Sequence, residues 1–600
     1  MPLLRRKNRR ATQDIPVCII GAGVAGLYIA MILETLGIPY HLVDANTQQR
    51  VGGRLFTYHF TNGDPYDYFD VGAMRYPDTP FMKRTFDLIR ERNLGLVLIP
   101  YIMQMVEPHN TWLMYNNARV NNQANVAGDP FSVANYVTDE TLLTPDGVHQ
   151  RVAQEIKQFR DLFRVEGRSI ADSMAILFDF TNAFSMRSWL LQANMDPRQI
   201  HWCETLDKST GWYDRALTET VIEDLAFNWP TTLLPEDEVA GPPHDWWCID
   251  GGSSRLPQAM WNSLSEQARL RARWESPVTA IHRELDDDER EIMRISVKGV
   301  KLPQKYSAVF STVPLGRLSL MDLTEADIHN NYAQWSAIRE LQYGPSIKIG
   351  IRFNVAWWEG LAQPIHGGQS FTDLPLRTIV YPSYPENGPP SKVLIASYCW
   401  TQDADKLGAL IHSDGTVEPE LLDLVFRNLA AVHGLQVQDI TQHYAEGSYF
   451  AWSWQHDPLT MGAFAFFGPG VYGTADIYNQ MLQPAARGKL FFAGEATSAC
   501  HAWVAGALDS AWRAVDQYLT LNDYAGTAVQ DDFYEMWGKT EYWDEQDDVA
   551  LVEQNHNLAE QILVIALFLA GLFLGLDDPE GEGLEGGDVA PVAPVAPVAP

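Results

Sequence analysis

Basic residues are scarce in this 600-residue chain: 44 Lys and Arg stand against 76 Asp and Glu, a formal net charge of −32. A surface that acidic repels phosphate backbones, which argues against nucleic acid as a partner. Cysteine is scarcer still. The five present (Cys18, Cys203, Cys248, Cys399 and Cys500) are odd in number, scattered and without CxxC spacing. That pattern argues against a disulfide framework and against structural zinc, and no metal is expected. No apolar h-region follows the basic start before residue 15, so no secretory signal peptide is read. The expected compartment is intracellular, cytoplasmic and reducing.

Long apolar runs are missing too, with one exception. Ile562 to Leu576 carries no polar side chain, but its 15 residues would span only about 22 Å as a helix, short of a hydrocarbon core of about 30 Å. No Lys or Arg flanks it, and Asp577, Asp578 and Glu580 follow at once. It reads as a surface packed on the body or a partner subunit rather than a membrane anchor. From Gln530 to Pro600 sixteen acidic residues accompany a single basic one, Lys539, and the repeating Val-Ala-Pro end reads as extended polyproline. The block Arg5, Arg6, Lys7, Arg9, Arg10 reads as a solvated arm. What remains, at 46% hydrophobic and 20% charged, is ordinary globular material, long enough for several units.

The first informative stretch is Pro16 to Asp44. Pro16–Ile20 is a short apolar run that suits a buried parallel strand, and it leads into Gly21-Ala22-Gly23-Val24-Ala25-Gly26. A helical apolar pattern follows to Leu36, Gly37 stops it, and a second strand, Tyr40–Val43, ends in Asp44 and Ala45. This is a complete strand–GxGxxG–helix–strand–acid unit. Gly21 permits the tight turn, Gly23 lets backbone N–H groups approach a pyrophosphate, and Gly26 lets the helix pack on the strand. The helix N-terminus favours phosphate charge, and Asp44, 18 residues beyond Gly26, accepts from ribose hydroxyls. These features indicate a dinucleotide without saying which.

Two further segments narrow the choice. Arg50-Val51-Gly52-Gly53-Arg54 follows Asp44 closely, and Arg54 has the shape to pair with a phosphate. Far along the chain, Gly488–Thr497 reads as an apolar strand entering a Gly494-Glu495 turn, and His501-Ala502-Trp503-Val504 is expected to open a helix. Together these segments resemble the flavin amine oxidase superfamily over roughly residues 15 to 545. The resemblance implies an FAD-binding Rossmann-like α/β domain assembled from 15–75, 245–345 and 470–530. It further implies a mixed-sheet substrate domain (76–130 and 346–469), a helical lobe (131–244) and a C-terminal tail (531–600). It places Glu495 near the ribityl or phosphate region, Val278 near the adenine, and the Trp503–Val504 helix start at the flavin's pyrimidine edge.

Within that superfamily, Gly72-Ala73-Met74-Arg75 resembles the segment of L-amino-acid oxidases, notably the fungal type, in which the arginine grips the substrate carboxylate. Tyr398, ending the apolar stretch Leu394–Trp400, takes a second carboxylate contact in the same comparison. Lys348 stands inside the apolar strand around Ile347–Ile351, where a buried lysine is costly unless it has a task. The resemblance gives it a water beside flavin N5. Trp503 becomes an aromatic wall, and Phe464, Trp400 and Ala502 line the side-chain pocket. The segment around Met461-Gly462 lacks the cysteine that tethers FAD in monoamine oxidases, so noncovalent FAD is expected. His201 on the lobe has no motif around it.

The implied activity is FAD-dependent oxidation of L-amino acids by O2, giving 2-oxo acids, ammonia and hydrogen peroxide, with an even-numbered oligomer as a family expectation. An amino-acid 2-monooxygenase shares the fold and the arginine, and the sequence does not separate the two. A mono- or polyamine oxidase has no use for Arg75. A non-catalytic interaction protein on the same fold would not need the intact glycine turns, Lys348 and Trp503.

Overall fold

A computed structural model describes residues 15–541, apart from 104–110, 123–125, 166, 208, 230–244, 301–303, 327, 329–330 and 474–475. The basic arm, the apolar run 562–576 and the polyproline end lie outside the described residues. The chain is an α/β protein. Its cofactor-type layer is a parallel four-stranded sheet in the order Tyr40–Val43, Val17–Ile20, Val309–Ser311, Leu490–Phe492. Cys18 pairs with Val309, and Val309 with Leu490, so strands from both ends of the described residues join one sheet through the Val309–Ser311 strand between them. Every residue of the Val17–Ile20 strand is buried, as expected for a strand covered on both faces.

Two helices pack together beside this sheet. Val24–Thr35 starts directly after the glycine turn, and Val504–Leu521 returns along it from the far end of the chain. The second begins three residues later than the His501 start expected from sequence. Ala502 adopts a left-handed φ of 66°, which breaks the helical path and leaves Trp503 as the N-cap.

A seven-stranded mixed sheet supplies the second layer, with Tyr444–Ser453, Ser346–Phe353 and Val393–Trp400 at one side. Lys348 is paired with Tyr398 and with Trp452 in this ladder, so Lys348 and Tyr398 sit on adjacent antiparallel strands by register alone. A lobe of helices contributes Pro145–Arg160, Ile170–Thr181, Met186–Gln192, Pro197–Asp207 and Leu217–Phe227. Among the described residues no helix is long and apolar enough to cross a membrane.

Candidate active site

The two helix N-termini, the end of the Ser346–Phe353 strand and one face of the Leu217–Phe227 helix border a single cavity of about 300 Å³. Neither Gly23 nor Trp503, the two N-caps, carries a side-chain cap, so the first-turn backbone donors of both helices open towards it. A Cβ built on Gly23 would meet nothing within 4 Å, which leaves the approach to that turn clear. All the residues singled out from the sequence line this cavity except Gly26. A Cβ there would fall 1.9 Å from the Gly21 carbonyl oxygen, so Gly26 spaces helix from strand and does not face a ligand.

At the dinucleotide end, Asp44 accepts from the backbone N–H groups of Ala22 and Asn46, both at 2.6 Å. Burial raises its pKa, and those two donors pull the other way. Ala45 and Val278 border the same end. Gly53 and Arg54 follow on the loop. Gly72 comes so close to that loop that a Cβ would lie 1.7 Å from the Arg54 carbonyl oxygen. Arg54 Nη1 donates to the Ala463 carbonyl at 3.1 Å and to Glu495 Oε1 at 2.5 Å. Glu495 also accepts from the backbone of Ala465 and Ala502. Its carboxylate therefore clamps Arg54, the Ala465 backbone and the Ala502 turn while lining the cavity. Burial works against charge on Arg54, yet Glu495 holds the guanidinium above its ordinary range.

Lys348 Nζ donates to the main-chain carbonyls of Asp70 at 2.8 Å and Gly72 at 2.7 Å, with Met74 Sδ third at 3.3 Å. It also lies 4.5 Å from the centre of the Tyr398 ring. Burial pushes its pKa down to about 7; the Asp70 carboxylate opposes that shift and the Arg75 guanidinium reinforces it. The Met74 sulfur is a weak acceptor.

Arg75 is half-buried and lines the cavity. Its guanidinium lies over Phe227 at 5.0 Å, and Nη1 reaches the weakly accepting sulfur of Met103 at 3.4 Å. It has no carboxylate partner among the described residues. Beside it, burial keeps Tyr398 a neutral phenol by raising its pKa, against the pull of Arg75, and its ring leans on Trp400 at 4.3 Å. Trp503 meets Phe227 edge to face at 5.6 Å. Phe464, Trp400 and Ala73 complete that end. His201 is exposed on its helix and away from the cavity.

Sequence reasoning missed the lobe's contribution. Glu219, Glu223 and Phe227 recur every four residues along Leu217–Phe227 and all line the cavity, as do Trp212 and Arg215 just before it. Glu219 Oε1 accepts from His501 Nδ1 at 2.7 Å and from the Tyr472 hydroxyl at 2.6 Å. Burial alone would strip the His501 proton, but the Glu219 carboxylate outweighs it and raises the imidazole pKa, while Glu219 is held below its usual value. The i, i+4 repeat was visible; what was not visible is that this face turns inward.

A family model described as flavin containing amine oxidoreductase matches residues 24–519, and the chain belongs to that family. A protein described as L-amino-acid oxidase 4, from Hebeloma cylindrosporum, is 42% identical over 563 residues, covering 88% of this chain and 85% of its own length. An L-amino-acid oxidase from Siganus canaliculatus is 28% identical, covering 84% of this chain and 86% of its own. Among solved structures, a putrescine oxidase bound to putrescine superposes with a TM-score of 0.57 at 17% identity, over 84% of this chain and 98% of that one. That likeness speaks for the fold. Family membership brings a flavin as the cofactor.

Proposed function

We propose that the protein is an L-amino-acid oxidase that holds FAD noncovalently. It converts L-amino acids and O2 to 2-oxo acids, ammonia and hydrogen peroxide. The observation that carries this reading is Arg75: a guanidinium on the cavity wall, without a carboxylate of its own, beside the neutral phenol of Tyr398. A bidentate arginine and a hydroxyl donor are what an α-carboxylate needs, and an amine without a carboxylate would leave Arg75 idle.

The residues present fit FAD. The uncapped Val24 turn and the open space over Gly23 suit a pyrophosphate. Asp44 suits a ribose, and the uncapped Val504 turn suits an electron-rich ring edge. None of the described residues lining the cavity is a cysteine, which supports noncovalent holding. When bound, FAD supplies the two-electron acceptor that O2 later reoxidises. The chain does the rest. Arg75 and Tyr398 fix the carboxylate and so orient the Cα–H bond. Trp503 and Phe227 narrow the space beside it. Lys348 keeps two hydrogens on the Asp70 and Gly72 carbonyls and turns the third from Met74 to a water. The FAD part then comprises 15–75, 245–345 and 470–530, and the substrate part 76–130 and 346–469, beneath the lobe 131–244.

The test is a visible spectrum followed by anaerobic addition of L-amino acids, D-enantiomers and simple amines, with 2-oxo acid and amide products separated after aerobic turnover. Bleaching by L-amino acids alone, with 2-oxo acid as product, is expected. Equal bleaching by amines overturns the carboxylate reading, and amide as the product overturns the oxidase one.

A further inference from the structure

The turn that carries Trp503 is held by two buried carboxylates, and only one of them comes from its own end of the chain. Glu495 Oε2 accepts from the Ala502 N–H at 3.2 Å and from the Ala465 N–H at 3.1 Å. Glu219, on the lobe helix Leu217–Phe227, repeats that arrangement beside it. Its Oε1 accepts from His501 Nδ1 at 2.7 Å and from the Phe467 N–H at 3.2 Å. The Tyr472 hydroxyl adds a third donor at 2.6 Å. Each carboxylate thus ties the 501–502 turn to the 465–467 segment, and both are buried.

The same helix meets the turn a second time. Phe227 lies edge to face on Trp503 at 5.6 Å, and the helix between Glu219 and Phe227 spans about 12 Å. The turn is therefore braced from the lobe at two points, one before Ala502 and one after it. Between them Ala502 holds its left-handed φ of 66°, a conformation that an L side chain keeps only where its surroundings impose it. Replacing a buried ion pair by apolar groups of the same shape often costs little stability, so what the Glu219–His501 pair adds is a fixed geometry. The geometry it fixes is the first turn of the Val504–Leu521 helix and the indole at its N-cap. Neither Glu219 nor His501 hydrogen-bonds to Arg75 or Tyr398, so the clamp and the carboxylate grip are separate devices.

We propose that Glu219 and His501 are positioning residues for Trp503: the lobe supplies the second clamp on the wall beside the flavin, and the alignment of the substrate's Cα–H bond depends on it. The proposal rests on the reading of Trp503 as that wall in an L-amino-acid oxidase. Glu219→Gln, His501→Ala and His501→Asn are loaded with FAD and the visible circular dichroism of the bound flavin is recorded. Anaerobic stopped-flow reduction by L-leucine then separates the limiting rate from the substrate Kd. Glu219→Gln and His501→Ala are expected to shift the dichroism and to slow limiting reduction about tenfold or more, because a wall out of place misaligns the reacting bond. The Kd should stay within about threefold, since the Arg75 grip is untouched. His501→Asn puts an amide N–H where Nδ1 stands, keeps the bond to Glu219 and should restore most of the rate. Wild-type dichroism with a rate within about twofold in Glu219→Gln overturns the proposal, as does an asparagine variant no better than the alanine one. If Glu219→Gln does not retain flavin, the two His501 variants decide. A wild type that no L-amino acid reduces overturns the oxidase reading instead, and the dichroism then decides the clamp.

Discussion

Replacing Arg75 with Met removes a guanidinium of similar length and keeps an apolar stem against Phe227, 5.0 Å away. A fork-shaped pair with a carboxylate comprises two charge-assisted hydrogen bonds, each about 1.5–3 kcal/mol. Arg75 is half-buried, so the lower end applies, about 3 kcal/mol for the pair. At about 1.4 kcal/mol per decade that is a loss of roughly 100-fold in kcat/KM. The grip is made before the reaction and kept through it, so most of the loss belongs in KM. Arg75→Lys keeps the charge without the fork and should lose about tenfold. The assay is anaerobic stopped-flow reduction of the flavin, with L-leucine set against isoamylamine, the same skeleton lacking the carboxylate. The leucine-to-isoamylamine ratio should fall by about two orders of magnitude. A change below about threefold would refute the assignment of Arg75, since a bidentate carboxylate contact at a half-buried guanidinium is worth more than that.

Lys348 should make the fold sensitive to pH. Its folded pKa of about 7 lies below the usual lysine value, so between those limits the unfolded chain binds more protons and stability rises with pH. The difference in Tm between Lys348→Met and wild type should grow more positive as pH falls from 10 to 7; a flat difference counts against the shift. Gly72→Ala drives a Cβ into the Arg54 carbonyl 1.7 Å away, and FAD retention measured by titration should weaken at least about tenfold. Retention at the wild-type level would mean the two loops move apart freely. Glu219→Gln leaves His501 buried without its counter-charge and should cost about 3–5 kcal/mol in urea unfolding at pH 7. A loss under about 1 kcal/mol would show the imidazole is neutral there already.

What the sequence revealed, and what it withheld, follows from the range of the interactions. Val17–Ile20 and Tyr40–Val43 were legible because a buried parallel strand is apolar throughout and glycine ends it. Lys348 was legible because one ammonium among Ile347, Ile349 and Ile351 has no local explanation. The Leu217–Phe227 face was not. Glu219 and Glu223 at helical spacing look like a solvated stripe until His501 arrives from 282 residues away. The late helix start at Val504 escaped for a different reason, since the left-handed turn at Ala502 depends on the Glu495 carboxylate accepting from the Ala502 N–H. Gly26 spaces helix from strand as the motif assigns it, because its Cβ position is taken by the Gly21 carbonyl.

The order of strands in the parallel sheet sets a schedule for the newborn chain. The glycine turn leaves the ribosome hundreds of residues before Leu490–Phe492, the strand that flanks Val309–Ser311, and before the second uncapped helix, which begins at Val504. Until those residues emerge, one wall of the pouch does not exist and the outer edge of the Val309–Ser311 strand has no partner. Loading of the cofactor therefore waits for the Val504–Leu521 helix, and the long interval before it is when the chain is most exposed to aggregation and to proteolysis.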